Sequence, residues 1–351
     1  MNYIKLLTSA ALVALAAPCA AQTFTWLQDV NVGGIEGLPS GVVAVGPDAY
    51  LCGFANRRIV KVSNFATAAA APAQFYSTSS VDNATDGFAW AANTGLVSID
   101  YRVADQTLMV AGDTFSDGMI YQVRATDGTL LRKQAANIGG SPRRVAGAAF
   151  YGPTNVLAQN QAGTNYWQFN ETLTSIGFYS GPTPAASRDI AVDPVTGTAY
   201  ISYNSSVAAP IVGIHRIIDA GTAFDISGNT NEPNWYSTTP SAAGGTLQGI
   251  SLGTIGSTQY AVLSMRDNDQ VRLVPTTATG TNANVASVIT VSDGSGSGTS
   301  NLTADAAIGT IGASQYLLVV QYGTPNVLSV YGINGATLQN ENSAASNWDL
   351  Y

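Results

Sequence analysis

Six polar residues stand at comparable places beside short apolar, β-prone runs. Arg143 and Arg144 precede Val145–Phe150, Arg188 and Asp189 precede Ile190–Val192, Gln248 lies just before Ile250–Leu252, and Asp305 precedes Ala306–Ile308. Guanidinium, carboxyl and carboxamide groups placed in this way can bond to backbone at strand ends, where amides and carbonyls lack partners. They can equally converge on a small polar binding site. The remaining chemistry-bearing residues offer less. His215, the single histidine, sits in Ile214-His215-Arg216 inside an apolar run, the setting of a structural histidine; any serine-hydrolase relay would have to depend on it alone. Cys52, between Leu51 and Gly53, reads as a small buried hydrophobe. Asp113 with Asp117-Gly118, and Asp267-Asn268-Asp269, do not meet the ligand spacing of an EF-hand and read as turn aspartates. No phosphate loop, haem-attachment sequence or zinc spacing occurs.

The elements that must carry these residues are strands. In Arg188–Ser202 the run Ile190-Ala191-Val192 is broken by Asp193-Pro194, Gly197 supplies a turn, and Ala199-Tyr200-Ile201 resumes a β-prone run. Proline lacks the amide that a central ladder needs, so the segment is a hairpin. Variants of the phrase return along the chain. The clearest are Gly253-Thr-Ile-Gly256 and Gly309-Thr-Ile-Gly312, each followed two residues later by Gln-Tyr, at an offset of 56 residues. The triplets Phe75-Tyr76-Ser77, Phe178-Tyr179-Ser180 and Trp235-Tyr236-Ser237 form a second echo, their tyrosines 103 and 57 residues apart. They read as equivalent outer strands packing blade on blade. Repeats of roughly 40–55 residues with about four strands each predict an all-β propeller. Inner strands starting near 41, 95, 143, 187, 246 and 302 give six four-stranded blades, with seven as the alternative. Phe24–Leu27 is expected to close the ring against the last blade; Trp348–Tyr351 either closes it together with Phe24–Leu27 or forms a tail.

Composition sets the surroundings. Lys5, the apolar Leu6–Ala17 and the small residues Cys19-Ala20-Ala21 form a signal peptide over 1–21, leaving 22–351 as one propeller domain that is secreted or periplasmic. A lipid anchor at Cys19 is the rival, in a poor context after Ala16-Ala17-Pro18. Without Lys5 the chain carries 13 basic against 22 acidic residues, a net −9 that argues against nucleic acid and anionic membrane surfaces as partners. No later stretch is long and apolar enough to span a bilayer. Cys52 is then the only cysteine, so no intramolecular disulfide forms.

The hairpin Asp189–Ser202, and Glu36-Gly37 ahead of the first blade, resemble the broad NHL and SMP-30/gluconolactonase-like group of propellers. The resemblance covers most of the mature chain loosely and implies a fold more than an activity. The lactonase branch holds a divalent ion at the axis with carboxylates and amides from several blades. With Asp189 as reference, the matching positions read here are Val42, Leu96, Gly147, Asp189, Gly249 and Asp305. Two of them can ligate a hard cation and Glu36 can add a third group, whereas Ca²⁺ takes about six to eight oxygens. Asn155 is a fourth oxygen donor, but its turn points to the opposite end of the blade. Two expectations follow. The first is a non-catalytic, monomeric binding or surface-associated module without a cofactor, with Arg143, Arg144, Arg188, Asp189, Gln248 and Asp305 at the mouth facing a small molecule, glycan or protein. The second is a hydrolase or lactonase with Ca²⁺ or another divalent cation at Glu36, Asp189 and Asp305.

Overall fold

The computed structural model describes residues 22–78, 95–113, 118–138, 141–142, 144–152, 154–160, 165–180, 187–204, 212–218, 230–238, 247–266, 269–278, 285–291 and 302–339. These residues form six four-stranded antiparallel sheets, so the six-blade propeller stands and the seven-blade alternative falls. The inner strands are Pro39–Val45, Gly95–Arg102, Val145–Tyr151, Ser187–Val192, Leu247–Ile255 and Leu302–Ile311. Each touches the inner strand of the next blade, and the sixth touches the first, which makes the ring. Three further strands step outward in sequence order in blades one to five. The triplets beginning at Phe75, Phe178 and Trp235 lie on outer strands as expected. Tyr76 packs on Tyr121 of blade two, and the indole N–H of Trp235 donates to the Ala278 carbonyl of blade five, at 2.9 Å.

Blade six is completed from the other end of the chain. Phe24–Asn31 pairs antiparallel with Val327–Ile333, from Phe24 opposite Ile333 to Asn31 opposite Val327. The closing strand also grips blade one, where the Gln28 amide donates to the carbonyls of Phe65 and Thr67 at 2.7 and 2.9 Å. Trp348–Tyr351 lie outside the described residues.

The turn from inner to second strand is the repeat that the sequence displays most openly. Gly46, Gly152, Gly197, Gly256 and Gly312 hold it with φ between 57° and 69°, and Gln106 does so in blade two with φ 53°. A positive φ is what a tight hairpin requires, and glycine adopts it without steric cost.

The blades are glued by six apolar clusters, one between each adjacent pair. Leu51, Val60, Leu318 and Val330 belong to the cluster between blades six and one, and Ala158, Trp167, Met109 and Ile120 to that between two and three. The other four follow the same plan. Arg216 adds a polar tie between blades four and five. It pairs with Glu232 at 2.5 Å, lies over Trp235, and donates to the carbonyls of Thr276 and Ala278, both at 2.9 Å. Cys52 and His215 are both fully buried, in keeping with the structural roles read from the sequence.

Val30 in the closing strand is 6% exposed within the cluster of blades six and one. Val30→Asp buries a carboxyl without a partner, a change expected to cost about 3 kcal/mol. A urea melt should show the lowered midpoint; an unchanged midpoint would mean that ring closure contributes little to stability.

Candidate functional site at the axial mouth

Every inner strand carries a β-bulge at the same height. Pairing with the second strand skips Ser40, Val97, Ala146, Arg188, Gln248 and Ala304. The residues that follow the bulge are Gly41, Ser98, Gly147, Asp189, Gly249 and Asp305. Two sequence assignments are therefore corrected: the counterparts of Asp189 in blades one and two are Gly41 and Ser98, not Val42 and Leu96. An extra residue in a strand shifts which side chain faces which way, and the spacing of apolar runs does not reveal it. Arg188, Asp189, Gln248 and Asp305 thus lie within their strands and not ahead of them.

The row after the bulge alternates between glycine and a polar residue, because the ring is too narrow for six side chains. A Cβ on Gly249 would stand 2.2 Å from an Asp305 carboxyl oxygen, and one on Gly147 would stand 2.7 Å from Asp189. The two aspartates use that space to reach the backbone of the next blade. Asp305 accepts from its neighbour's amide, Ala306 N–H, at 2.8 Å and from Val42 N–H of blade one at 2.9 Å. Asp189 does the same with Ile190 N–H at 2.9 Å and Ile250 N–H of blade five at 3.1 Å, and it also accepts from the Ser98 hydroxyl. Asp100 repeats the device two residues further along blade two, accepting from Tyr101 and Phe150 N–H, both at 2.8 Å. Burial pushes all three carboxyls up, Asp100 to about 6 and Asp189 to about 7. Asp305 rises well above the usual carboxylate range, through burial first and the neighbouring Asp189 second.

The bulge row faces the axis instead. Ser40, Val97, Arg188, Gln248 and Ala304 line a cavity of about 320 Å³. Blade three contributes Arg144, the residue just before its inner strand, so all six blades meet there. The walls differ. Arg144, Arg188, Gln248 and Arg266 come from blades three to five, whereas Leu38, Pro39, Phe54, Val97 and Ala304 come from blades six, one and two and the segment leading into blade one. Tyr322 stands at the seam, with the Arg266 guanidinium over its ring at 5.4 Å. The Ser40 hydroxyl is turned to the Leu96 carbonyl at 2.6 Å, linking blades one and two.

Of the residues singled out in the sequence, the structure brings Arg144, Arg188 and Gln248 to one cavity. Asp189 and Asp305 lie in the adjoining strand row, bonded to backbone. Arg143 lies outside the described residues, as do Asp117, Asp267 and Asn268. Glu36 has a separate task. Fully buried, it accepts from the amides of Leu38, Asn56 and Arg58 at 3.2, 2.8 and 3.2 Å, tying the lead-in segment to blade one. Among the described residues no group of three or more His, Cys, Asp or Glu side chains is gathered to hold a metal ion. The three carboxyls named for a cation are committed to amide donors, and the cavity beside them is lined by guanidinium groups; this donor set does not fit a divalent ion. Arg266, Phe54 and Tyr322 were not read from the sequence. Each stands at or just past the end of a second strand, which the hairpin returns to the end where the inner strand began.

No family model matches the chain, and no curated protein matches it. Solved structures do. A protein of unknown function from Bacteroides thetaiotaomicron is 11% identical with TM-score 0.55, over 90% of this chain and 76% of that one. A putative oxidoreductase (glucose dehydrogenase) from Thermus thermophilus is 12% identical with TM-score 0.52, over 87% and 99%. A catalytically inactive virginiamycin B lyase from Staphylococcus aureus is 10% identical with TM-score 0.50, over 91% and 90%. At such identity the likeness shows the fold, and it supports the architecture-level resemblance read from the hairpin. Among the described residues no helix is long and apolar enough to cross a membrane.

Two predictions follow from the aspartate row. Gly249→Ala should cost about 1–3 kcal/mol by overpacking against Asp305, while Gly34→Ala, with nothing within 4 Å, serves as a tolerated control; equal melts for the two would overturn the packing argument. The second concerns pH. Between the ordinary carboxylate value of about 4 and the folded value of about 7 for Asp189, the native chain binds more protons than the unfolded one. Stability therefore falls as pH rises through that window. Melting temperature measured across it should decline, and Asp305→Asn should flatten the decline. A melting temperature that rises from pH 4 to 7 would contradict the assignment.

Proposed function

We propose that the protein is an exported, non-catalytic propeller that holds a small molecule at the mouth of its central channel. The observation that carries this reading is the axial cavity itself, to which every blade contributes and which pairs a polar wall with an apolar one. Cavities of roughly 300–1,000 Å³ with an apolar lining and a few convergent polar groups are the usual form of small-molecule sites. Export rests on the N-terminal run Leu6–Ala17 followed by small residues up to Ala21. The divalent-metal hydrolase or lactonase has less support, since Glu36, Asp189 and Asp305 each serve the backbone.

A thermal-shift screen of small organic compounds on residues 22–351 tests the proposal, because a ligand of the native state alone raises the melting temperature. Val97 lines the cavity and is half-buried, so Val97→Trp fills it from the apolar side. Compounds that stabilise the parent chain should lose at least about tenfold in affinity in that variant, equivalent to ~1.4 kcal/mol. Equal stabilisation of both chains, or no stabilising compound at all, would overturn the axial-site reading.

A further inference from the structure

We infer that Glu36 is the positioning residue of the axial site: its carboxyl, outside the cavity, sets the apolar wall that Leu38 and Phe54 offer to a ligand. This rests on the cavity being a small-molecule site and adds what fixes its shape. Leu38 and Phe54 both line the cavity but come from different segments, the lead-in to blade one and the residue just past its second strand. Glu36 holds both through their backbone. One carboxyl oxygen accepts from the amides of Leu38 at 3.2 Å and Asn56 at 2.8 Å, and the other from that of Arg58 at 3.2 Å. Asn56 lies two residues past Phe54, and the Phe54 amide donates to the Leu38 carbonyl at 2.7 Å. Leu38 is thus bonded at both its amide and its carbonyl within this one cluster, while the residue remains 40% exposed. A fixed main chain carrying an open apolar side chain suits a binding wall, because a surface ordered in advance spends less entropy on the ligand.

The surroundings are built for that carboxyl. Glu36 is fully buried, and Gly53 leaves the room for it: a Cβ on Gly53 would collide with Glu36 Cγ. Ile35 adds a second tie, its carbonyl accepting from the Asn56 carboxamide at 2.8 Å and from the Arg58 guanidinium at 2.9 Å. The other end of the lead-in segment is anchored on blade six, where Val32 N–H donates to the Asn326 carbonyl at 3.0 Å. Between the two anchors the amides of Ile35 and Glu36 both donate to the Val32 carbonyl, at 2.9 and 3.0 Å. The segment therefore runs from the seam that closes the ring to the wall of the cavity, and Glu36 converts its path into the placement of Leu38.

N-phenyl-1-naphthylamine, a neutral aromatic compound whose fluorescence rises in apolar surroundings, reads the wall when titrated into residues 22–351. Val97→Trp should block it, which places the probe in the cavity. Glu36→Ala should weaken it at least about tenfold, because a displaced Leu38 or Phe54 gives up much of its apolar contact. Glu36→Gln retains one oxygen for the Leu38 and Asn56 amides and should fall between Glu36→Ala and the parent. Gly53→Ala evicts the unaltered Glu36 side chain, so it should weaken the probe by itself and add nothing to Glu36→Ala, where the space is free. Trp235→Phe loses the Ala278 bond between the outer parts of blades four and five. It should lower the melting temperature and leave probe affinity unchanged, which separates positioning from stability. Glu36→Gln and Gly53→Ala keep the test decisive if Glu36→Ala fails to fold. A probe blocked by Val97→Trp but bound equally by the parent and the Glu36 and Gly53 variants would overturn the positioning role and leave the site. Equal losses in Trp235→Phe and Glu36→Ala would do the same. A probe bound by the parent and Val97→Trp alike, or by neither, would overturn both readings.

Discussion

In a closed ring of sheets, each inner strand presents one backbone edge to a channel where no further strand can pair with it. Its amides must find acceptors, since an unsatisfied buried N–H costs about as much as a lost hydrogen bond. Here aspartates on alternate blades supply them. Asp305 serves Val42, Asp189 serves Ile250 and Asp100 serves Phe150, each carboxyl crossing from its own strand to the next blade. The alternation with glycine follows from this need, because a carboxyl reaching sideways requires a neighbour without a side chain. The same bonds tie blade two to three, four to five and six to one at the inner strands.

The bulge lets one strand do two jobs. In blade four Arg188 and Asp189 are consecutive, yet the first faces the axial cavity and the second is bonded within the ring wall. A regular strand would send neighbouring residues to opposite faces of the sheet, both against adjacent blades. Inserting an unpaired residue releases one side chain to the channel while its successor keeps the ladder. Repeated in six blades, that irregularity produces a ring of axial side chains, and the identity of each then sets the cavity's chemistry: arginine and glutamine on one side, valine and alanine on the other.

How much of this was legible in the sequence depended on which physical feature left a trace in residue type. The hairpin turns did, because a positive φ selects glycine; Gly256 and Gly312 marked blades five and six as copies, and the remaining blades followed by spacing. The closing strand was legible from Phe24-Thr-Trp-Leu27 standing ahead of a complete first blade. The cavity was half legible. Arg144, Arg188 and Gln248 stood out as polar residues beside apolar runs, but the bulge that aims Arg188 and Gln248 is a matter of backbone register and selects no particular residue, so Gly41 and Ser98 were misplaced by the apolar count. Arg266 and Tyr322 sit at ends of second strands, where a polar or aromatic residue is unremarkable until the fold returns it to the axis. Glu36 stood out through Glu36-Gly37 ahead of blade one; its contacts to the amides of Leu38, Asn56 and Arg58 depend on how the lead-in segment folds back on that blade, which no spacing displays.

The closing strand bears on how long the folded chain persists once formed. Asp29 and Ser329 meet across 300 residues of chain, and the contact forms only when everything between them has been ordered. A row of blades can grow one at a time, each new blade covering an apolar face of the last, yet any such row keeps two bare ends. Joining them removes both at once. From then on a single opened interface leaves every blade still held by a neighbour, so the ring resists rupture at any one place. Resistance of that kind belongs to the rate of unfolding more than to its equilibrium, and it suits a chain that holds its shape without a disulfide.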